Sequence, residues 1–330
     1  MYSNIKELII FCFIFCIILF LYLHIQFHLK TSDELEIYEI DQVSKEKLEE
    51  ICDLRQPVLL DGDEDIQKMI NAVNKSALLN TYPIFEVKII DTQRNDDISL
   101  PLPLQMAEKL FKEDTTSRYF SENNIEFLND TGAVKNLAYN DSFLRPSLVS
   151  NRFYDIIMGS TGVETPFRYD LNYRNYYFVT QGIIKVKLSP PKSGRYLYPI
   201  MDYENFEFRS PINPWSPQSK YAADFDKIKC LDIVLVPGRL LFIPAYWWYS
   251  FKLMENSSMG CLKYRTYLNN VAISPHIFMY ALQNQNVETR IVKTLPLELE
   301  PSLELNIEKN NKTDSENNMI HINVNNDNTK

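Results

Sequence analysis

Sixteen residues from Leu8 to Leu23, LIIFCFIFCIILFLYL, carry no charge, no Gly and no Pro. Extending the run to Phe27 gives twenty residues, interrupted only by His24 and Gln26. At 1.5 Å of rise per residue, a helix of that length nearly matches the ~30 Å hydrocarbon core of a bilayer. A buried core helix would keep one polar face, and this run has none. A secretory signal would end in small residues, and HIQFHLK offers no cleavage site. Residues 1–30 are therefore expected to be a single-pass membrane anchor. Its flanking charges set no orientation. Lys6 is offset by Glu7, and His28 and Lys30 by Asp33, Glu34 and Glu36. Sequons start at Asn74, Asn129, Asn140, Asn256 and Asn311, but in an Asn-rich chain they barely favour a lumenal domain.

The 330 residues suffice for one large or two small domains, and 45% hydrophobic content supports a packed core over most of them. The net charge of −9 and the lack of any Lys/Arg cluster argue against nucleic acid as a partner. Cys12 and Cys16 lie in the apolar run. Cys52, Cys230 and Cys261 form no CxxC and no disulfide framework, so they are expected as small buried hydrophobes, with one disulfide left open. The four histidines are His24, His28, His276 and His321, so none lies between residues 29 and 275.

Past an acidic linker from Thr31 to Ile40, residues 31–145 read as an α/β lead-in. Ser44 is placed to cap a helix from Lys45 to about Leu54. Pro57 to Leu60 is a short buried strand, and Phe85 to Ile90 another. Asp65 to Leu79 is expected as one helix, with Ile66, Met69, Ile70 and Val73 on its apolar face, and Leu104 to Lys112 as a second. From about residue 146 short β-type runs alternate with Pro and Gly. Ile183 to Leu188 sends Ile184, Val186 and Leu188 to one face and Lys185 and Lys187 to the other. Cys230–Val236, Leu240–Ile243 and Met259–Leu268 are further strands, with a turn at Pro237-Gly238. Such strands suggest a sandwich or barrel. A helix from Ser274 to about Gln285 closes this part, residues 146–295. Residues 296–330, rich in Asn, are expected to be a disordered tail.

Two segments carry a family resemblance. Residues 159–191, GSTGVETPFRYDLNYRNYYFVTQGIIKVKLSPP, and residues 235–251, LVPGRLLFIPAYWWYSF, resemble cupin-like/JmjC domains of the asparaginyl-hydroxylase type. The lead-in before PVLLDG and the segment SRYFSE at 117–122 are similar too, so the resemblance covers roughly residues 35–290. It implies a mainly β fold, a double-stranded β-helix or jelly-roll barrel with flanking helices. In active members it implies Fe(II) held by two His and one carboxylate, with 2-oxoglutarate as cosubstrate, the open facial triad expected of such oxygenases.

The matching positions depart from that pattern. Arg168-Tyr169-Asp170 stands where the family has His-x-Asp, and Tyr249 stands where it has the second His. The lysine that grips 2-oxoglutarate in the most similar subgroup would fall at Ile184. A guanidinium cannot be deprotonated and repels a metal cation. Arg168 is expected to pair with Asp170 or with another buried acid, and Tyr249 to donate into the same space. Thr165, Asn175, Ile184 and Trp247 complete the expected pocket lining, although Asn175 better suits a turn and Trp247 better suits core and barrel-rim packing. Neither metal nor cofactor is expected. The expected function is a pseudo-enzyme of the oxygenase superfamily acting as a binding or structural protein. The alternatives are an Fe(II)/2-oxoglutarate protein hydroxylase with a non-standard site, or a metal-free small-molecule or sugar-binding cupin. Expected partners are the membrane, through the anchor, and either another protein or a second copy. In related proteins the C-terminal helix region often mediates dimers. Here its face of Ile277, Phe278 and Ala281 is expected to pack on the chain's own barrel.

Overall fold

Short runs of strand-forming residues build two facing sheets at the centre of the fold, with helices between and around them. The computed structural model describes residues 2–41, 43–93 and 99–285. In chain order the first part runs α1 Tyr2–Leu29, β1 Tyr38–Ile40, α2 Lys45–Cys52, β2 Val58–Asp61, α3 Glu64–Ala72, α4 Lys75–Thr81, β3 Glu86–Asp91, β4 Ser99–Pro103, α5 Leu104–Glu113, β5 Tyr119–Ser121, α6 Ile125–Asp130 and α7 Ala133–Asn140. The second part runs β6 Val149–Gly159, β7 Arg168–Tyr169, β8 Arg174–Gln181, β9 Ile184–Ser189, β10 Ile200–Asp202, β11 Glu207–Arg209, α8 Ala222–Phe225, β12 Leu231–Leu235, β13 Arg239–Ile243, β14 Trp248–Leu253, β15 Ser258–Thr266, α9 Tyr267–Ala272 and α10 Ser274–Gln285.

The larger sheet has the order β1-β2-β13-β8-β15-β6-β5-β3-β4 and the smaller one β10-β11-β7-β14-β9-β12. Their facing sides form the barrel core. Tyr177 and Val179 of β8, Ile184, Val186 and Leu188 of β9, Tyr249, Phe251 and Leu253 of β14, and Met259 and Cys261 of β15 are buried together there. The other side of the larger sheet packs on the lead-in helices, with Tyr176, Phe178, Leu262 and Tyr264 against Leu48, Met69, Leu104 and Phe127. This is the jelly-roll architecture the motifs implied, with the lead-in strands extending the larger sheet.

Several elements differ from the sequence reading. The helix expected over 65–79 is two, α3 and α4, broken at Val73-Asn74. Asn74 caps α4 by accepting from the amides of Ser76 and Ala77, while its Nδ2 donates to the Thr180 carbonyl at 2.8 Å. A side chain fixed by both neighbours overrides a continuing apolar period. The linker ends in β1, which pairs in parallel with β2. The turn at Pro237-Gly238 stands, with Gly238 at φ 94°, a conformation that glycine adopts without strain. On α10 only part of the expected face turns inward. Ile277 packs against Leu171, Phe208 and Ile273, but Phe278 and Ala281 point to solvent. All five cysteines are free thiols, so Cys230 and Cys261 do not pair. The tail at 296–330 and the last ten residues assigned to the barrel, 286–295, lie outside the described residues.

Candidate functional site

The two positions that should carry histidine in an oxygenase face each other across a strand pair. Arg168 of β7 is in register with Tyr249 of β14, and its guanidinium carbon lies 5.7 Å from the Tyr249 ring centroid. Arg168 is 9% exposed. It donates from Nη1 to Glu122 Oε1 at 2.8 Å and from Nη2 to Glu122 Oε2, a bidentate fork. Glu122, just past β5, is itself buried. Burial alone would weaken the Arg168 cation, but the Glu122 carboxylate and Tyr249 hold its pKa well above the usual arginine range.

Asp170, immediately after β7, is engaged separately. Its Oδ2 accepts from Tyr249 Oη at 2.8 Å and Tyr177 Oη at 3.1 Å. The Lys263 ammonium reaches Oδ1 at 3.0 Å and Oδ2 at 2.9 Å. Burial works against the charge, but Lys263 and the Tyr249 hydroxyl hold the Asp170 carboxyl below the ordinary carboxylate range. The same contact raises the Lys263 ammonium against the burial that opposes it. Burial and the Asp170 carboxylate push the Tyr249 hydroxyl upward, so it stays protonated and donates. Of the two pairings the sequence allowed Arg168, the structure takes the one with another buried acid, because Lys263 already occupies Asp170.

Lys263 reaches this point through strand period. On β15 the residues Met259, Cys261, Lys263 and Arg265 share the barrel-facing side, apolar at one end and cationic at the other. The interior is graded accordingly. Its cationic end opens into a cavity of about 1260 Å³ lined by Glu122, Arg168, Asp170, Tyr249, Lys263 and Glu207, among others. Acids crowd one wall. Burial and the neighbouring Glu122 raise the Asp155 carboxyl to about 6, against the amides of Asn123 and Asn124 that donate to it. Burial and Glu122 also raise Glu207.

Thr165 lines the cavity, with its Oγ1 accepting from the Phe251 amide at 2.9 Å. The other three expected lining residues do not. Ile184 sits in the apolar end of the barrel, opposite Leu235 and Leu253, where β9 meets both neighbours. Lys185 and Lys187 alternate to the other face, as the period required. Asn175 turns its Nδ2 to the carbonyls of Ile243 at 3.1 Å and Asn172 at 3.4 Å, stitching β8 to β13. Trp247 is fully buried and donates from Nε1 to the Arg55 carbonyl at 3.1 Å. Sequence reasoning missed Glu122, Lys263, Asp155 and Glu207. Alternation along β15 could have revealed Lys263, since Met259, Cys261 and Lys263 follow one period. Glu122 lies 46 positions from its partner, and no local pattern announces it.

These positions do not fit a facial triad. Two of the three are a permanent cation and a protonated phenol. The remaining carboxylate is saturated by three donors. Among the described residues no three His, Cys, Asp or Glu side chains gather as a metal-ligand set.

The family model for the Cupin-like domain matches residues 44–260. HSPB1-associated protein 1 of Rattus norvegicus is 36% identical over 99 residues, covering 30% of this chain and 21% of that protein. The Homo sapiens protein of the same name is 36% identical over 93 residues, 28% of this chain and 19% of that one. JmjC domain-containing protein D of Dictyostelium discoideum is 27% identical over 100 residues, 30% of this chain and 22% of that protein. The aligned stretch is thus about a fifth of each of these relatives. With a jelly roll of the expected topology and a family match over most of its folded length, this chain belongs to the Cupin-like domain family.

Proposed function

We propose that the chain is a membrane-anchored cupin-like domain that works by binding, with no metal chemistry at the positions where oxygenases hold iron. One observation carries this reading. Arg168 is buried in a bidentate pair with Glu122, facing Tyr249 across the strand, while Lys263 and Tyr249 occupy Asp170. To admit Fe(II), the protein would have to break two ion pairs and accept a cation beside a fixed guanidinium. Support for the anchor comes from α1, whose residues Ile5–Leu29 are long and apolar enough to cross a membrane and whose most apolar stretch is unburied. The relatives named HSPB1-associated protein 1 make another protein the first class of partner for this chain.

The test is metal and cosubstrate binding by the full chain in detergent. Fe(II) or Mn(II) with 2-oxoglutarate is added without oxygen, and bound metal and unfolding temperature are measured. The expected result is no stoichiometric metal and no 2-oxoglutarate-dependent shift. Near-stoichiometric metal with such a shift would overturn the reading and restore a hydroxylase with a non-standard site.

A second reading, a metal-free small-molecule or sugar site, draws on the open cavity beside Arg168. Both charge signs line it and largely cancel in pairs, which suits a neutral, hydroxyl-rich ligand better than a strong anion. Calorimetric titration with monosaccharides and polyols tests it. Heat of binding lost in Glu207→Gln, with the fold intact, is the expected signature.

A further inference from the structure

The stretch from Tyr267 to Gln285, comprising α9 and α10, contains no Asp, Glu, Lys or Arg in a chain that is 23% charged. It is nevertheless a surface segment. No residue of α10 is buried. One side of the helix leans on the domain through the His276 ring against Tyr203 and Phe208, and through Tyr280 against Phe206. The opposite side carries Pro275, Phe278, Met279 and Leu282, spaced i, i+3, i+4 and i+7, all exposed, with Phe278 63% so. On α9, Tyr267 and Val271 add two more exposed side chains one turn apart. A helix bathed in water normally puts charge on its outer face, and this one puts an apolar stripe there.

The position of α1 indicates what covers the stripe. The first part of α1 is exposed, but in its last turns His24 and Ile25 are half-buried and His28 is buried. That end of α1 runs into the domain, and α1 packs against α9. If Leu8–Leu23 crosses the bilayer, its boundary lies at the level of α9. A single residue, Ile273, separates α9 from α10. The exposed stripe is therefore continuous with the place where the anchor leaves the membrane.

We propose that the outer faces of α9 and α10 rest in the headgroup–acyl boundary of the same bilayer, so that the domain lies against the membrane instead of swinging from its tether. The proposal rests on reading α1 as an anchor. Tyr, Phe, Met and Leu suit that layer, and Asn and Gln take the place of the basic residues that many interfacial helices carry. Burial of apolar side chains drives the contact, so zwitterionic phosphatidylcholine is sufficient and anionic lipid is not required.

The test uses the full chain in phosphatidylcholine nanodiscs doped with a lipid bearing a diazirine on its acyl chain. After illumination, adducts are mapped by mass spectrometry. Adducts are expected within Leu8–Leu23 and on Phe278, Met279 and Leu282. The variant Phe278→Asp/Leu282→Asp should lose the second set, keep the first, and unfold at an unchanged temperature. Labelled α1 with unlabelled α10 would overturn the proposal and leave the anchor standing. Absence of label on both would overturn the anchor as well. A dimer seen by native mass spectrometry of the wild type and lost in Phe278→Asp/Leu282→Asp, in place of lipid adducts, would assign the stripe to a second copy of the chain. Equal labelling of Ile84, which is as exposed as any of these residues, would mean indiscriminate reaction and also defeat the proposal.

Discussion

Asp170 accepts from two tyrosines and a lysine, and each donor would be stranded without it. Its side chain and that of Lys263 are 19% and 23% exposed, so the pair is only partly screened by water. Asp170→Asn leaves a half-buried ammonium unpaired and is expected to cost about 2 kcal/mol in urea unfolding. Adding Lys263→Met should recover much of that loss, which a double-mutant cycle would read as coupling. The sign of the pH dependence follows from the depressed Asp170 carboxyl. Its contribution is present above the ordinary carboxylate range and is lost as the pH falls below about 4. The gap between the wild type and Asp170→Asn should therefore narrow in acid; a constant gap down to unfolding would mean that Asp170 contributes shape, not charge. The same network bears on iron. Arg168→His/Tyr249→His recreates the ligand residue types, yet Lys263 still covers Asp170 and Glu122 is left without its cation. That variant should bind Fe(II) poorly by elemental analysis. Adding Lys263→Met and Glu122→Gln should raise the bound metal. Stoichiometric iron in the double variant would show that Lys263 is no obstacle.

At the level of elements, what was legible followed local periodicity, and what was missed depended on distant partners. The alternation of IIKVKL already puts Ile184, Val186 and Leu188 inside, because strand period is a property of neighbours. The aromatic FIPAYWWY segment carried its resemblance but not its geometry. Trp247 faces Arg55 of the lead-in, and only the folded chain brings them together. β1 gave no signal, since it lies within the acidic linker and finds its partner β2 only beyond α2. β4, SLPLP, contains two prolines that argue against a strand, and it is accommodated because it lies at the sheet edge. The break between α3 and α4 belongs to this class. Ala in place of Asn74 removes a cap worth about 1 kcal/mol and also the bond to Thr180. Asn74→Ala should therefore lower stability by about 1–2 kcal/mol in urea unfolding, whereas Asn74→Asp keeps the cap and should lose less. Equal losses would locate the effect in the Thr180 bond.

Across the whole molecule, anchor, lead-in and barrel meet at Arg55. The Arg55 guanidinium lies 5.0 Å from the Phe27 ring centroid and 4.9 Å from that of Tyr173, and its Nη2 donates to the Phe27 carbonyl at 3.3 Å. The His28 ring packs edge-on against Tyr173 at 4.8 Å. Arg174 pairs with Asp53 at 2.5 Å beside the same tyrosine. The last turn of α1 is thus part of the folded core, not a tether that ends at its surface. A chain beginning at Lys30 loses the Phe27 and His28 contacts and leaves one face of Arg55 to water. Desolvated cation–π contacts are worth about 1–2 kcal/mol, and in a domain of this size each kcal/mol moves the midpoint by about 2–4 °C. The truncated chain should therefore melt about 5 °C below the full chain in the same detergent. Arg55→Met should lower the melting temperature of the full chain, and should lower that of the truncated chain less, because half of what Arg55 contacts is already gone. If both chains melt together and Arg55→Met costs each the same, the end of α1 contributes nothing to the fold. The domain would then be free to move about its anchor, and a fixed pose of α10 against the bilayer would lose its mechanical support.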